Sequence, residues 1–492
     1  VRDQLIKYMV DLQVFDSNSL KLQSLSLAQL SESTNQLTRT VLMLVSNKCY
    51  QLSLTLRSIA TQISYEDVQI ITTQLIQCAT NILSAVNGPL QERTLVLDLD
   101  SSRATNFPDD YDTDIESEWS NLNLFANGND FSWKTIEKGR NTYYQQQLAN
   151  TISNQTNEII SLLTSTLNIH INIGQNLTIN TPSTFMSLET ISIETLSNKQ
   201  IQQVGNAQIN IPEHFNSNMS NNSAVMLRSR MEPLAVYGSS KSQLANTNIS
   251  TSISLSVVDR NGNEVTIKTN KTHPVEIIIP HDLNLIIPSM IIQNVISINS
   301  TFHNQSFSFH YINITNTLPI SAHIEIHPLE TNISYLFIYK FDQIPQLNTS
   351  INQIDGWTLF CSLNLTNESM YTYFIDNQQT FGHQSIIFGL RELNSTEFRD
   401  FCINSSIVNP PITDEKFNFT SNYELRIYTS GCYYLDQNNQ WKSDGLIVGR
   451  LTNHYETQCF SSHLTTFASG FRVLPEPVNW NYVFANADFL RN

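Results

Sequence analysis

The residues best suited to do chemistry are His463, Leu464 and Thr465, in the stretch Cys459-Phe460-Ser461-Ser462-His463-Leu464-Thr465-Thr466-Phe467-Ala468. A histidine two residues before a threonine can break its own backbone. The Thr465 hydroxyl can attack the carbonyl carbon of Leu464 through a five-membered ring, moving the acyl group from nitrogen to oxygen. A hydroxyl is a weak nucleophile until a base takes its proton, and the His463 imidazole is the nearest base in the chain. Water then hydrolyses the ester, and the chain is cut between Leu464 and Thr465. Attacker and target share one peptide unit, so no encounter has to be arranged. Such a reaction happens once per chain and calls for no metal and no cofactor.

Ahead of these residues stand Gly431-Cys432-Tyr433-Tyr434, then Trp441, Asp444-Gly445-Leu446 and Cys459. The order resembles the GPS motif, the self-cleavage site inside the GAIN domain of adhesion receptors and polycystin-1-like proteins. Most GPS motifs carry four cysteines. Here the second and fourth positions hold Leu446 and Ser461, a paired loss that reads as one whole bridge removed. A single bridge with Asp-Gly-Leu after the tryptophan resembles the polycystin-1 branch. The likeness covers roughly residues 424–492; upstream it lies only in the layout of segments.

The resemblance implies a Cys432–Cys459 bridge closing a loop of about 28 residues and stabilising by roughly 3.5 kcal/mol. That bridge would tie the strand carrying Cys459 to the sheet and hold the 463–465 turn rigid. Trp441 is expected to pack over it, with Gly445 a further structural residue of the motif. After scission the strand holding Thr466, Phe467 and Phe471 should stay docked. The implied partners are the chain's own C-terminal fragment and a polycystin-2-like channel subunit. A membrane helix beyond residue 492 and a cytoplasmic PLAT domain are implied further on. Two alternatives stay open: the same module from an adhesion G-protein-coupled receptor, and an uncut secreted adhesive glycoprotein.

The elements that must position this turn read as α+β, a helical subdomain followed by an antiparallel β-sandwich of GAIN-like layout. The expected divisions are 1–167 helical, 168–423 β-rich with room for an extra β-module, 424–474 the motif, and 475–492 a juxtamembrane linker. Ser64-Tyr65-Glu66-Asp67 resembles a capping box, and Val68, Ile71, Leu75, Cys78, Ala79, Ile82 and Val86 follow at three- and four-residue steps. Another helix is expected near Leu25 to Leu44, and a third from Ser132 to Leu167. Residues 168–173, 252–257 and 335–339 alternate as strands do. Residues 211–250 are polar and read as an exposed, glycosylated excursion.

Composition bounds the rest. In 492 residues, 40% hydrophobic and 14% charged, there is material for real cores, and a net charge of −16 argues against nucleic acid as a partner. The most apolar stretch, Ile277 to Ile298, is broken by His281, Asp282 and two prolines, short of the ~20 residues a membrane helix needs. Six cysteines fall in sequential pairs, Cys49/Cys78, Cys361/Cys402 and Cys432/Cys459, for which sequential bridging is the simplest expectation. Sixteen Asn-x-Ser/Thr sequons lie between Asn154 and Asn418, among them Asn176, Asn270, Asn313, Asn364 and Asn394. Sequons and even cysteines together point to an extracellular portion of a plasma or ciliary membrane protein. An acidic run over residues 98–118 lacks the glycine and glutamate of an EF-hand and reads as a solvated loop. His323, Glu325 and His327 alternate on one strand face, read as a polar outer face and not as a metal site.

Overall fold

The computed structural model describes residues 2–87 and, with short interruptions, 133–474. The acidic run at 98–118 and the linker from residue 475 lie outside the described residues. The chain is α+β: helices come first and antiparallel sheets follow. Helices α1 (Arg2–Asp11), α2 (Ser17–Ser31), α3 (Arg39–Ile59), α4 (Tyr65–Asn87) and α5 (Trp133–Asn168) precede the first strand. The helix expected near 25–44 is in fact two. Ser31 ends α2, and the Thr38 hydroxyl caps α3 by accepting from the Val41 N–H. Ser64 does the same for α4, accepting from the Asp67 N–H at 3.2 Å.

The strands are β1 (Asn176–Thr181), β2 (Thr184–Ser192), β3 (Ile201–Val204), β4 (Ala207–Asn210), β5 (Asn216–Ser217), β6 (Ala224–Glu232), β7 (Asn248–Val258), β8 (Glu264–Val265), β9 (Ile267–Lys268), β10 (Val275–Pro280), β11 (Ile291–Gln293) and β12 (Ser308–Asn313). Then follow β13 (Ser321–Pro328), β14 (Tyr335–Phe341), β15 (Gln346–Leu347), β16 (Asn352–Gln353), β17 (Gly356–Phe360), β18 (Tyr371–Ile375), β19 (Ser385–Glu392), β20 (Tyr423–Leu435), β21 (Trp441–Lys442), β22 (Ile447–Val448), β23 (Glu456–Ser461) and β24 (Thr466–Val473).

The main sheet runs β1-β2-β6-β7-β24-β20-β13-β18. One face of its β1–β20 part lies on the helices: Met186, Leu188, Met226, Tyr433 and Ala468 share a core with α2–α5. The other face packs on the sheet β22-β23-β10-β4-β3, where Leu227, Ile253, Leu255, Cys432 and Phe467 meet Ile209, Ile277 and Cys459. The thirteen-residue β20 extends beyond this, and its first half, with β13 and β18, packs on the sheet β12-β19-β14-β17. This last sheet forms a further β-layer beside the first half of β20. Its edge carries the Cys361–Cys402 bridge, which ties the end of β17 to the turn Phe398–Ile403.

Several expectations are corrected here. Residues 168–173 form no strand; α5 runs to Asn168 and the chain turns through Gly174, at φ +87, before β1. Ile169 and Ile173 alternate in sequence but are exposed, with no neighbour to pair them. The supposed excursion at 211–250 contains β6, paired on both sides by β2 and β7. Its two arginines disguise it, and both are matched: Arg228 bonds Glu264 at 2.8 Å and Arg230 approaches Glu232 at 3.4 Å. The face bearing His323 and Glu325 is interior, because Arg426 and His454 sit against Glu325 at 2.6 and 2.9 Å. Finally, Cys49 and Cys78 form no bridge. Their sulfurs meet at 2.8 Å inside the helical core, where the neighbouring thiol and burial push the Cys49 pKa up and withhold the thiolate that exchange requires.

Candidate functional site

The turn Ser462–Thr465 joins β23 to β24, and the two strands it joins belong to different sheets. The Cys432–Cys459 bridge, fully buried, links those two sheets through β20 and β23. Cys459 lies four positions before His463, so the bridge anchors the strand that enters the turn. On the leaving side, β24 is paired along both edges, by β20 over Phe467–Val473 and by β7 over Thr466–Phe471. Phe467 and Phe471 are 1% and 2% exposed, so the strand is enclosed on its faces as well. Burying each ring contributes ~1.5–3 kcal/mol.

His463, Leu464, Thr465 and Thr466 are each half-buried and line an open cleft of about 690 Å³ beside Arg228, Lys268 and Asn154. His463 is paired with Lys268 through an isolated bridge, and the Thr269 N–H donates to the Ser462 carbonyl at 2.9 Å. The Tyr434 ring stands edge-on to the imidazole at 4.8 Å, and its hydroxyl lies 3.1 Å from the Asp444 carboxylate. Burial lowers the His463 pKa from its ordinary value, against an opposing pull from Asp444. The ring is therefore neutral near pH 7, the form a base must have. The Thr465 hydroxyl donates to the Leu435 carbonyl at 3.2 Å. No hydrogen bond joins it to His463 in this arrangement.

The remaining motif residues fall as follows. Gly445 takes φ +78 in the turn between β21 and β22, a conformation that side chains disfavour. Trp441 is buried, but not over the bridge. It pairs with Leu435 across β20–β21, which puts it on the Tyr433 face against the helices, while Cys432 points to the opposite face. Leu446 and Ser461, the two positions without cysteine, are both buried. Continuing the register Val448↔Cys459, Ile447↔Phe460 by one step brings them opposite each other.

Of the sequon asparagines, Asn154, Asn176, Asn270 and Asn313 are exposed, while Asn394 caps a short turn by accepting from the Glu397 N–H at 2.7 Å. The Asn364 side chain lies outside the described residues. Among the described residues no cluster of His, Cys, Asp or Glu is arranged to hold a metal, and no helix is long and apolar enough to cross a membrane. Two residues that touch the turn, Lys268 and Leu435, carry no mark in the sequence that singles them out. They come from strands remote in the chain.

No family model matches this chain. Over 49 residues it is 45% identical to polycystin-1-like protein 3 of Mus musculus, and over 49 residues 49% identical to that of Homo sapiens. Each stretch is 10% of this chain and 2% or 3% of the relative, so the chain spans only a small part of the length of the relatives it matches. What the comparison supports is a short, partial similarity between this chain and polycystin-1-like protein 3.

Proposed function

We propose that this chain is the membrane-proximal extracellular GAIN/GPS region of a polycystin-1-like membrane receptor or channel subunit. It cuts itself once, between Leu464 and Thr465, and keeps the two fragments associated. The observation that carries the reading is the placing of His463-Leu464-Thr465 in a half-buried turn, with a disulfide-anchored strand on one side and a doubly paired strand on the other. The Thr465 hydroxyl leaves the Leu435 carbonyl by rotation about χ1 and gives its proton to His463. Its oxygen adds to the Leu464 carbonyl carbon. The Thr465 nitrogen then departs with a proton as a free amine, leaving an ester. Hydrolysis yields the Leu464 carboxylate and restores the hydroxyl. Extracellular exposure fits the four accessible sequon asparagines and the two bridges. Partnership with a channel subunit and a membrane anchor beyond residue 492 belong to the same proposal.

Denaturing gels of the expressed chain test this. A long N-terminal fragment and a short peptide beginning at Thr465 are expected, and Thr465→Ala should leave one band. A second reading, the same fold left uncut, is favoured by one contact: the nucleophile rests on Leu435 and not on the imidazole. A folded wild-type chain that migrates whole would decide for that reading.

A further inference from the structure

Ser461 is the residue that fixes His463. It is buried, and its Oγ lies 2.9 Å from the His463 carbonyl oxygen, 3.2 Å from the His463 backbone nitrogen and 3.4 Å from His463 Nδ1. A serine hydroxyl has one proton and two lone pairs. The carbonyl oxygen can only accept, so the proton points to it. The backbone N–H can only donate, and it takes one lone pair. What faces Nδ1 is the other lone pair, and that contact is attractive only when Nδ1 carries hydrogen. A neutral imidazole has a single N–H, so Nε2 is left bare.

We propose that Ser461 is a positioning residue of the self-cleavage site, its hydroxyl holding His463 as the Nδ1–H tautomer so that Nε2 is the base for the Thr465 proton. The inference rests on the cleavage reading above and assigns the base to one nitrogen. Among the described residues Ser461 is the ring's one hydrogen-bonding partner. The other groups facing His463 are Tyr434 and Phe467, at 4.8 and 6.0 Å between ring centroids, Lys268 across the bridge, and Asp444 held by Tyr434. None of them selects a tautomer. The lowered pKa of His463 supports the neutral ring on which the argument depends.

The tautomer can be read without scission. Solid-state ¹⁵N spectra of histidine-labelled Thr465→Ala chain, with His463 assigned by its loss in the added His463→Gln change, should show a protonated Nδ1 and a bare Nε2. Adding Ser461→Ala should shift the signal towards the Nε2–H form. In the otherwise wild-type chain, pulse–chase should show Ser461→Ala slowing scission about tenfold. Ser461→Thr should restore the rate, and the pH–rate profile of Ser461→Ala should be displaced. Non-reducing peptide mapping of the Cys432–Cys459 bridge confirms that each variant has folded. An Nε2–H signal in the Thr465→Ala chain, or wild-type scission in folded Ser461→Ala, overturns the role given to Ser461 while leaving the cleavage reading intact. A folded wild-type chain that is never cut overturns the cleavage reading, and the base assignment falls with it.

Discussion

The Phe471 ring lies 4.4 Å from the His281 imidazole, centroid to centroid, so the last strand of the sheet rests on a histidine buried beneath it. Tyr428 meets Phe471 at 5.1 Å and His454 at 4.9 Å, and His323 stacks on Tyr428 at 4.3 Å. Three imidazoles thus surround one aromatic pair. Glu325 is the carboxylate against this group, and it is shared with Arg426.

Acid should loosen this region. Burial lowers the His281 pKa, and it brings His323 down to about 3 with help from the neighbouring imidazoles. Both sit below the unfolded value of about 6.5, so the unfolded chain binds more protons between those limits. The stability they contribute is full above pH 6.5 and declines as the pH falls towards 3. Glu325, whose pKa is lowered by His454 and Arg426 against the opposing effect of burial, adds a loss in the same direction below about pH 4.5. Unfolding free energies from urea titrations at pH 7 and pH 5 should differ by about 2 kcal/mol from His323 alone. An unchanged free energy would mean that the rings are solvated.

Phe471→Ala should cost about 3–5 kcal/mol in urea unfolding, since the ring is buried against His281, Tyr428 and His454. In a cut chain the same change should raise the rate at which the C-terminal fragment leaves under native conditions. Size-exclusion chromatography after dilution reads that release. Equal retention by both chains would place the holding energy in the backbone ladders.

Replacing Cys432 and Cys459 together by alanine should destabilise by roughly 3.5 kcal/mol. It should also lower the extent of scission, because the strand entering the turn loses its covalent anchor. Scission at the wild-type level in a folded double variant would show that Ser461 and the sheet suffice.

Thiol titration in denaturant should find two reactive groups per chain, Cys49 and Cys78, with none in the native state. Reagent uptake before unfolding would mean that the α3–α4 contact opens. Finding no thiols at all would mean that the pair had oxidised.

Trp441→Ala should cost about 3–5 kcal/mol and loosen the helices from the sheet. Proteolysis should then begin in α2–α5 and leave the disulfide-linked sheets intact.

What the sequence made legible was whatever a short window determines. The α4 stripe and its Ser64 cap, and the alternation in β7 and β14, could all be read from neighbours in the chain. The failures share a cause. Trp441 was put on the wrong face because only the β20–β21 register decides its side. The polar stretch holding β6 reads as an excursion because Glu264, which matches Arg228, comes from another strand. His323 and Glu325 looked solvated because Arg426 and His454 lie 101 and 129 positions further on. Ser461 could be seen only as a cysteine that was missing; its three contacts with His463 depend on the bend of the turn.

The interior place of β24 has a consequence for whatever follows its removal. Withdrawing it would not peel away a margin; it would open a lane nearly 10 Å wide between β7 and β20. Both banks would then present rows of unpaired amides and carbonyls, the kind of surface that recruits another strand. A molecule emptied in this way must either close the lane, drawing the helical side and the outer β-layer together, or accept a substitute strand from elsewhere. The loss of eight residues would therefore be felt across the whole breadth of the fold.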